Sequence, residues 1–411
     1  MPERTTRDAS SLSLPLPPPR LWTVLLLYGA AAGYWIYRYQ WLFYIWREDL
    51  AVYTLAVRTW LAGVNPYGAA LAPLYFVYPP FFLYAAGLLS HLIPAGWGDS
   101  AYTALHVEAT LALPLFLARF YFRQRWLTPA FALLVFIATP LFMGILALCS
   151  LNIASTLYCL CFVAGIPGLH RDRWRWFYGA VFLAAMIKIT FLALLLLPLL
   201  AGRRQVRQWV NCTLCGAVVI GANLLEMRLL PELYTGYRWS LVQAIVHEKY
   251  YGFGIFGVVM AYGYKLHLPA PASAYAAAVG LAVVMTGAML LLRQRLAKQD
   301  QTGANVGRNG IWLALVVALL ILVNPRQLQY DGDVSLFAAF PLWVYALRIR
   351  RPELLVVVLF IPSLLIHFVV KAPPLYGMYG TFETLTAFAL AWWRLWHETA
   401  PGEAKAQELS A

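Results

Sequence analysis

An acidic residue stands where it could act as a base beside a membrane. The stretch "YIWREDLAVYT" places Arg47, Glu48 and Asp49 directly after the first long apolar segment. Charged residues this close to a bilayer cost free energy and are usually retained for a function. A carboxylate within hydrogen-bond reach of a hydroxyl can remove its proton during a transfer reaction. Asp49 is therefore a candidate catalytic base; the alternative is an aspartate that only favours the start of the following helix.

A lysine and an arginine stand at unusual places in apolar sequence. Lys188 interrupts the apolar stretch 176–200, and Arg326 follows Asn324-Pro325 at the end of another apolar run. An ionisable residue inside a membrane segment is a functional candidate by default. The alternatives are that Lys188 snorkels to the headgroups from a short helix, and that Arg326 is an ordinary interfacial anchor.

Helical spacing groups further candidates around Asp49. Asp49, Tyr53 and Val57 are four residues apart, so a helix that begins near Asp49 places them on one face. The turn "GVNPYG" follows, and then "VYPPF" puts two prolines at the start of an apolar segment. Arg58 is a nearby cation that would favour the charged form of Asp49. Tyr78 belongs either to the site or to an aromatic belt.

Three later segments hold polar candidates, each with a structural alternative. Asn152 either contributes to the site or caps the helix that follows it. Asp331 and the adjacent Tyr330 are candidates to bind substrate, and Asp331 is alternatively a turn residue of "YDGD". His247 lies in a long outer loop, where it could bind an acceptor or belong to a solvated interfacial helix.

The composition places these residues in a membrane protein. Of 411 residues, 62% are hydrophobic and only 12% are charged, whereas a soluble domain carries about a quarter charged residues. The net charge of +13 comes from short basic clusters between apolar runs, which is typical of cytoplasmic loops rather than of a nucleic-acid surface. The first apolar run is too long for a signal-peptide core and is expected to remain as a membrane helix.

Apolar segments long enough to cross a bilayer recur along the chain, since a spanning helix needs about 20 residues. The stretch 176–200 has basic residues at both ends, so we expect a hairpin of two short helices. The segments 79–94 and 253–267 are shorter, and 79–94 is expected to lie in the interface or to re-enter the membrane. The predicted spans are 22–45, 101–122, 127–149, 151–169, 209–230, 272–293, 310–324, 334–348, 354–370 and 378–396.

The basic clusters are consistent with a single orientation. The positive-inside rule places all of them on the cytoplasmic side, so the N-terminus is inside and the loops 46–100, 231–271 and 325–333 are outside. The clusters are Arg119/Arg123/Arg125, Arg171/Arg173/Arg175, Arg203/Arg204/Arg207, Arg293/Arg295/Lys298 and Arg348/Arg350/Arg351.

One membrane unit accounts for nearly the whole chain. We expect a disordered cytoplasmic tail over 1–20, a transmembrane unit over 21–397 and a cytoplasmic tail over 398–411.

Cys212 and Cys215 have a redox or zinc spacing, but they stand in an apolar helix without a second pair, so they are predicted to be packing residues. No phosphate-binding or dinucleotide-binding glycine motif is present.

The order of these motifs resembles one superfamily of membrane enzymes. The segments "DLAVY", "GVNPY", "VYPPF", "CSLNIASTLYCLCF", "GAVFLAAMIKITFLALLLLPLL" and "NPRQLQYDGDVSLFAAFPLW" follow one another from about residue 45 to about residue 345. This order is similar to that of the GT-C superfamily of lipid-dependent glycosyltransferases, especially the polyprenol-phosphate-mannose-dependent mannosyltransferases of glycosyltransferase family eighty-seven. The chain departs from the family pattern at Ser150-Leu151 (usually Gly-Gln), at Thr190-Phe191 (usually a pair containing Pro) and at Asp331 (in a loop where many members carry His).

The resemblance implies a fold, a reaction and a role for each candidate. The fold would be an all-α polytopic GT-C fold of about eleven to thirteen transmembrane helices, with juxtamembrane helices in the first outer loop. The reaction would be metal-independent and without cofactor: inverting transfer of a hexose, with mannose expected, from a polyprenyl phosphate. The acceptor would be a lipid-linked glycan or another glycan on the extracytoplasmic face of the inner membrane.

Asp49 would be the base, while Lys188 and Arg326 would hold the donor phosphate. The implied substrate-binding residues are Tyr53, Arg58, Tyr78, Asn152, His247, Tyr330 and Asp331.

A multi-pass transporter or flippase of a lipid-linked substrate is the alternative. Transporters often contain paired repeats with interrupted helices, and this sequence has no such internal symmetry. Their ionisable residues tend to lie at mid-bilayer, whereas the acids here cluster at one end of the predicted spans. A structural scaffold subunit is a third interpretation, and it would need no pocket at Asp49.

Overall fold

The protein is described by a computed structural model. Its larger described segments are 48–68, 74–93, 97–121, 150–202, 205–247, 251–265, 270–299, 310–324, 331–349 and 373–399, and a few positions are described besides: 20–22, 25–26, 29, 327 and 328. The predicted spans 127–149 and 354–370 lie outside the described residues, as does most of the predicted span 22–45.

The regular secondary structure in the described part of the chain is helical, with thirteen α-helices. A 3-10 helix, Ile189–Leu195, stands between α5 and α6, and a π-helical turn, Gln243–His247, follows α8. The α-helices are α1 (Glu48–Leu61), α2 (Pro80–Leu92), α3 (Gly98–Tyr121), α4 (Ile153–Arg171), α5 (Arg175–Ile187), α6 (Leu196–Ala201), α7 (Gln205–Leu229), α8 (Pro231–Val242), α9 (Ile255–Lys265), α10 (Ala270–Gln299), α11 (Gly310–Leu322), α12 (Asp331–Ala346) and α13 (Pro373–Glu398).

Three of the described helices are long and apolar enough to cross a membrane: α4, α7 and most of α10. Other predicted spans form helices that are shorter or less uniformly apolar. In α11 all 13 residues are buried, so protein rather than lipid surrounds this helix. An all-helical membrane protein is thus supported, although the full set of predicted spans is not present among the described residues.

The hairpin expected over 176–200 is present, and it reverses at Lys188. The backbone of Lys188 is extended, with φ −148 and ψ 103, and it separates α5 from the 3-10 helix. On α7, the Sγ of Cys212 lies 3.8 Å from the Tyr178 hydroxyl on the outgoing leg and 3.4 Å from the Leu195 carbonyl on the returning leg. The two legs therefore run side by side, with Lys188 at the tip.

Basic residues gather at the end of the bundle opposite that tip. Arg293 donates to the carbonyls of Leu199, at 2.8 Å, and Gly202, at 2.5 Å, which ties α10 to the end of α6. Arg295 donates to the Thr399 carbonyl at 3.1 Å and so ties the end of α13 to α10 as well. We call this the arginine end.

The turn between α4 and α5 belongs to the same end. Asp172 follows α4, and its carboxylate accepts a hydrogen bond from Gln208 in the first turn of α7, at 3.3 Å. The basic cluster around Arg173 therefore lies beside the start of α7, close to the end of α6. The basic residues around Arg173, Arg207 and Arg293 thus share one end of the bundle, as the expected topology requires.

Candidate active site

Asp49 lies in the first turn of α1, as its helical spacing predicted. Its side chain is half-buried, and its Oδ2 accepts a hydrogen bond from the Asn152 amide at 3.1 Å. This bond joins residues that are 103 positions apart. It brings the start of α1 against the N-terminus of α4, at the end of the bundle opposite the arginine end. We call this the site end.

Asn152 has both of the roles that its sequence position allowed. Its Oδ1 accepts a hydrogen bond from the Ala154 backbone amide at 2.9 Å, which caps α4. Its Nδ2 donates to Asp49 and, at 3.4 Å, to the Tyr78 hydroxyl. Since the oxygen faces a backbone donor and the nitrogen faces a carboxylate, the hydrogen-bond network determines the orientation of the amide.

Three buried tyrosines support the asparagine. The hydroxyls of Tyr53 and Tyr78 are 2.8 Å apart, and the Ile153 backbone amide donates to Tyr53 at 3.3 Å. The Tyr67 hydroxyl donates to the Tyr78 carbonyl at 2.7 Å. Tyr78 is only 7% exposed, so it belongs to this cluster and not to an aromatic belt. Together these contacts connect the loop before α2 to α1 and α4.

The tyrosines stay neutral, which leaves the proton-accepting role to the carboxylate. Burial raises the pKa of the Tyr53 hydroxyl well above its usual value, and the neighbouring Tyr78 and Asp49 raise it further. Burial likewise raises the pKa of Tyr67. A neutral phenol donates and accepts hydrogen bonds but does not take up a proton near neutral pH. Asp49 is thus the group in this cluster that can act as a base.

Lys188 forms the tip of the hairpin, at the same end of the bundle as the tyrosine cluster. Ile187, the preceding residue, packs against the cluster that contains Tyr53 and Tyr78. The backbone amide of Lys188 ends α5 by donating to the Ala184 carbonyl at 2.8 Å. A helix break therefore places the half-buried Lys188 at the end of the bundle that holds the candidate base.

Asp331 is a structural anchor rather than an open binding group. It is fully buried, and its two carboxylate oxygens accept hydrogen bonds from the Tyr158 hydroxyl, at 2.7 Å, and the Leu328 backbone amide, at 2.8 Å. The proposed turn at "YDGD" is wrong, because α12 begins at Asp331. The residue ties the loop after α11 to α4, six positions along α4 from Asn152.

Other predicted site residues do not join this cluster or cannot be placed. Arg58 is exposed on the opposite face of α1, since nine residues at 100° each turn it half a circle from Asp49. There it lines a groove of about 270 Å³ with Thr54 and Asp99. His247 is exposed at the end of the π-helical turn. Arg326 and Tyr330 lie outside the described residues.

Four residues that position the candidate site were not predicted to belong to it: Tyr67, Tyr102, Leu151 and Tyr158. Leu151 has a left-handed backbone, with φ 55, which is unfavourable for a non-glycine residue. Its carbonyl accepts a hydrogen bond from the Tyr102 hydroxyl at 2.8 Å. Tyr158 holds Asp331 in a similar way. Tyr67 lies in "GVNPY", which indicated merely a turn, and Leu151 and Tyr158 lie in "CSLNIASTLYCLCF", where only Asn152 was predicted to belong to the site.

The cysteines in the described segments form no disulfide with one another. Cys159, Cys161, Cys212 and Cys215 are free thiols. Cys212 and Cys215 contact the hydroxyl and the carbonyl of Tyr178, which confirms their packing role. No group of three or more potential metal ligands occurs within the described residues.

Comparisons with known proteins do not assign this chain to a family. No protein-family model matches the chain, and no curated protein shows significant similarity to it.

Proposed function

We propose that this protein is a membrane glycosyltransferase that moves a hexose, with mannose expected, from a polyprenyl phosphate to a hydroxyl of a glycan or lipid-linked acceptor. The supporting observation is the hydrogen bond from Asn152 to Asp49. It brings together segments that were selected independently for their resemblance to the GT-C enzymes. Tyr53 and Tyr78, from two of those segments, complete the same network.

The proposed chemistry is a direct displacement with inversion. The acceptor oxygen attacks the anomeric carbon, while its proton passes to the Asp49 carboxylate. The bond from that carbon to the phosphate oxygen breaks, and its electron pair leaves with the lipid phosphate. Lys188 stabilises the negative charge of the leaving phosphate, and Asn152 holds the carboxylate of Asp49 in place.

The location of the site suits a lipid donor. The cluster lies beyond the ends of α4 and α7, two helices that can cross a membrane, so the site end is near the headgroup region. A polyprenyl tail can stay in the bilayer while its phosphate reaches this level. With the arginine end in the cytoplasm, the site would face the extracytoplasmic side of the inner membrane.

One observation favours the alternative of a lipid transporter. Glu383 in α13 is only 7% exposed, and its Oε2 has no hydrogen-bond partner within the described residues. Acids buried inside membrane segments are typical of transport pathways. Transport requires a sealed compartment, whereas glycosyl transfer proceeds in detergent, so the two functions can be separated by one assay.

The decisive experiment measures transfer from a radiolabelled polyprenyl-phosphate mannose by the full chain in detergent micelles. We expect transfer by the wild-type protein and a loss of at least about 100-fold in Asp49→Asn, since a general base contributes about 10²–10⁴-fold. Glu108→Gln, which changes an exposed carboxylate on α3, is the matched control and should retain full activity. Full activity of Asp49→Asn would rule out the proposed role of this carboxylate.

A further inference from the structure

A second concentration of charge lies at the arginine end, far from the candidate active site. Four arginines and two tryptophans are exposed there, at the end of α4, in the turn that follows, and at the starts of α5 and α7. We call this surface the arginine–tryptophan patch; it consists of Arg171, Arg173, Arg175, Trp176, Arg207 and Trp209.

Hydrogen bonds beneath the patch hold its parts together. The Asp172 carboxylate accepts hydrogen bonds from the Trp174 indole, at 2.8 Å, and from the Gln208 amide, at 3.3 Å. Gln208 is 2% exposed and also accepts from the Tyr178 hydroxyl at 2.5 Å. The acidic side chain nearest to the arginines is thus engaged with buried donors, and α7 is tied to the α4–α5 turn.

The cations of the patch have no acidic partner in the part of the chain that the structure describes. The ion pair found there, between Arg394 and Glu398, belongs to α13. Arg175 instead lies over the ring of Trp176, 5.3 Å from its centroid. Among the described residues, no carboxylate neutralises these four positive charges.

The position of the patch identifies the kind of anion. Arg171 ends α4 and Arg207 begins α7, and both helices can cross a membrane, so these cations lie at the depth of lipid headgroups. Trp176 is 64% exposed and Trp209 49% exposed, as expected for aromatic residues at a membrane interface. Arginine binds phosphate oxygens through two parallel hydrogen bonds.

We propose that the arginine–tryptophan patch is a binding site for the phosphate headgroup of anionic phospholipids. It is independent of the transfer reaction proposed for the opposite end. Clustered cations at a membrane surface attract anionic lipids, with a contribution of about fivefold in affinity per cation. The tryptophans add contact with the glycerol and upper acyl region of the same lipid.

The test is a lipid titration of the purified full chain in mixed micelles, followed by native mass spectrometry. The probes are phosphatidylglycerol and phosphatidylcholine with identical acyl chains. We expect the wild-type protein to bind phosphatidylglycerol at least about tenfold more tightly, because several cations act together. The preference should fall as salt increases, since exposed charges are screened.

A pair of double variants makes the result specific. Arg173→Gln with Arg175→Gln should weaken phosphatidylglycerol binding by about 25-fold, at about fivefold per charge. The control, Arg228→Gln with Arg238→Gln, removes two exposed arginines at the site end and should leave the preference unchanged. Size-exclusion profiles verify that both variants are folded.

Three outcomes would overturn the proposal. Equal affinity of the wild-type protein for the two lipids would mean that the patch does not select anionic headgroups. Equal losses in the two double variants would mean that net charge alone determines binding. Displacement of the lipid by an equal concentration of glycerol phosphate would identify a soluble phosphate, and not a lipid, as the ligand.

Discussion

The Asn152 side chain connects helix capping to the orientation of the candidate base. Its oxygen satisfies a backbone amide of α4, and its nitrogen donates to Asp49 and Tyr78. Asn152 therefore cannot be replaced by a simple capping residue without changing the site. Leu151, immediately before it, adopts a left-handed backbone, and its buried side chain helps to offset the cost of that conformation.

The residue-scale prediction uses two substitutions of Asn152 that both preserve a helix cap. Asn152→Asp replaces the donor with a second carboxylate, and two adjacent carboxylates release their protons at higher pH than one alone. The base form of Asp49 is then lost at a higher pH, so the acidic limb of the kcat/KM profile should move upward. Asn152→Ser is too short to reach Asp49, and kcat should fall by about 10- to 100-fold because the base is no longer held.

The control for these substitutions is the stability of the capped helix. Thermal unfolding in detergent should change little in Asn152→Ser, since serine caps helices about as well as asparagine. In Asn152→Asp the midpoint should fall as pH rises, because the two carboxylates repel each other once both are ionised. A pH profile of Asn152→Asp that overlays the wild-type profile would contradict a direct effect on Asp49. Equal losses of activity and of thermal stability would instead indicate a purely structural role.

At the scale of the elements, the hairpin formed by α5, the 3-10 helix and α6 is the feature that sequence reasoning described best. Basic residues at both ends of one apolar stretch place both ends on the same side of the membrane. The chain must therefore reverse its direction within the stretch, and it does so at Lys188. The partners of the tip were not predictable, because Ile187 packs against tyrosines from a distant loop. Likewise, helical spacing placed Asp49 and Tyr53 on one face, but the contact with Asn152 spans 103 residues and depends on tertiary packing.

The element-scale prediction concerns the cation at the hairpin tip. Lys188→Gln should reduce transfer by about 100-fold, because an electrostatic donor to the leaving phosphate is lost. Lys188→Arg keeps the charge and should restore part of the activity. The measurement is the kcat and donor KM of each variant in detergent. Unchanged kinetics in the glutamine variant would remove Lys188 from the proposed site.

At the scale of the whole molecule, the candidate site and the arginine end lie at opposite ends of the bundle. The acid, amide and tyrosine hydroxyls of the candidate site lie at one end, while Arg293 and Arg295 bind backbone carbonyls at the other. Composition and charge patterning predicted this separation. They could not predict which helices are surrounded by protein: α11 has the apolar sequence of a membrane span, yet all of its residues are buried.

The whole-molecule prediction is that the two ends are exposed on opposite sides of a membrane. In sealed right-side-out vesicles, a membrane-impermeant maleimide should label Arg228→Cys at the site end and should not label Arg175→Cys. Permeabilisation should make both positions reactive, since both residues are exposed. The unmodified chain measures background from the native thiols. Labelling of both variants from the same side would refute the topology.

The bonds from Arg293 to the carbonyls of Leu199 and Gly202 have a consequence for biosynthesis. The donor lies 91 residues after Gly202, so the returning leg leaves the ribosome long before the group that locks it in place. Until α10 has been inserted, those carbonyls must rely on water or on the insertion machinery for their hydrogen bonds. Translational arrest ahead of Arg293 should therefore yield a nascent chain in which this leg is still open to protease.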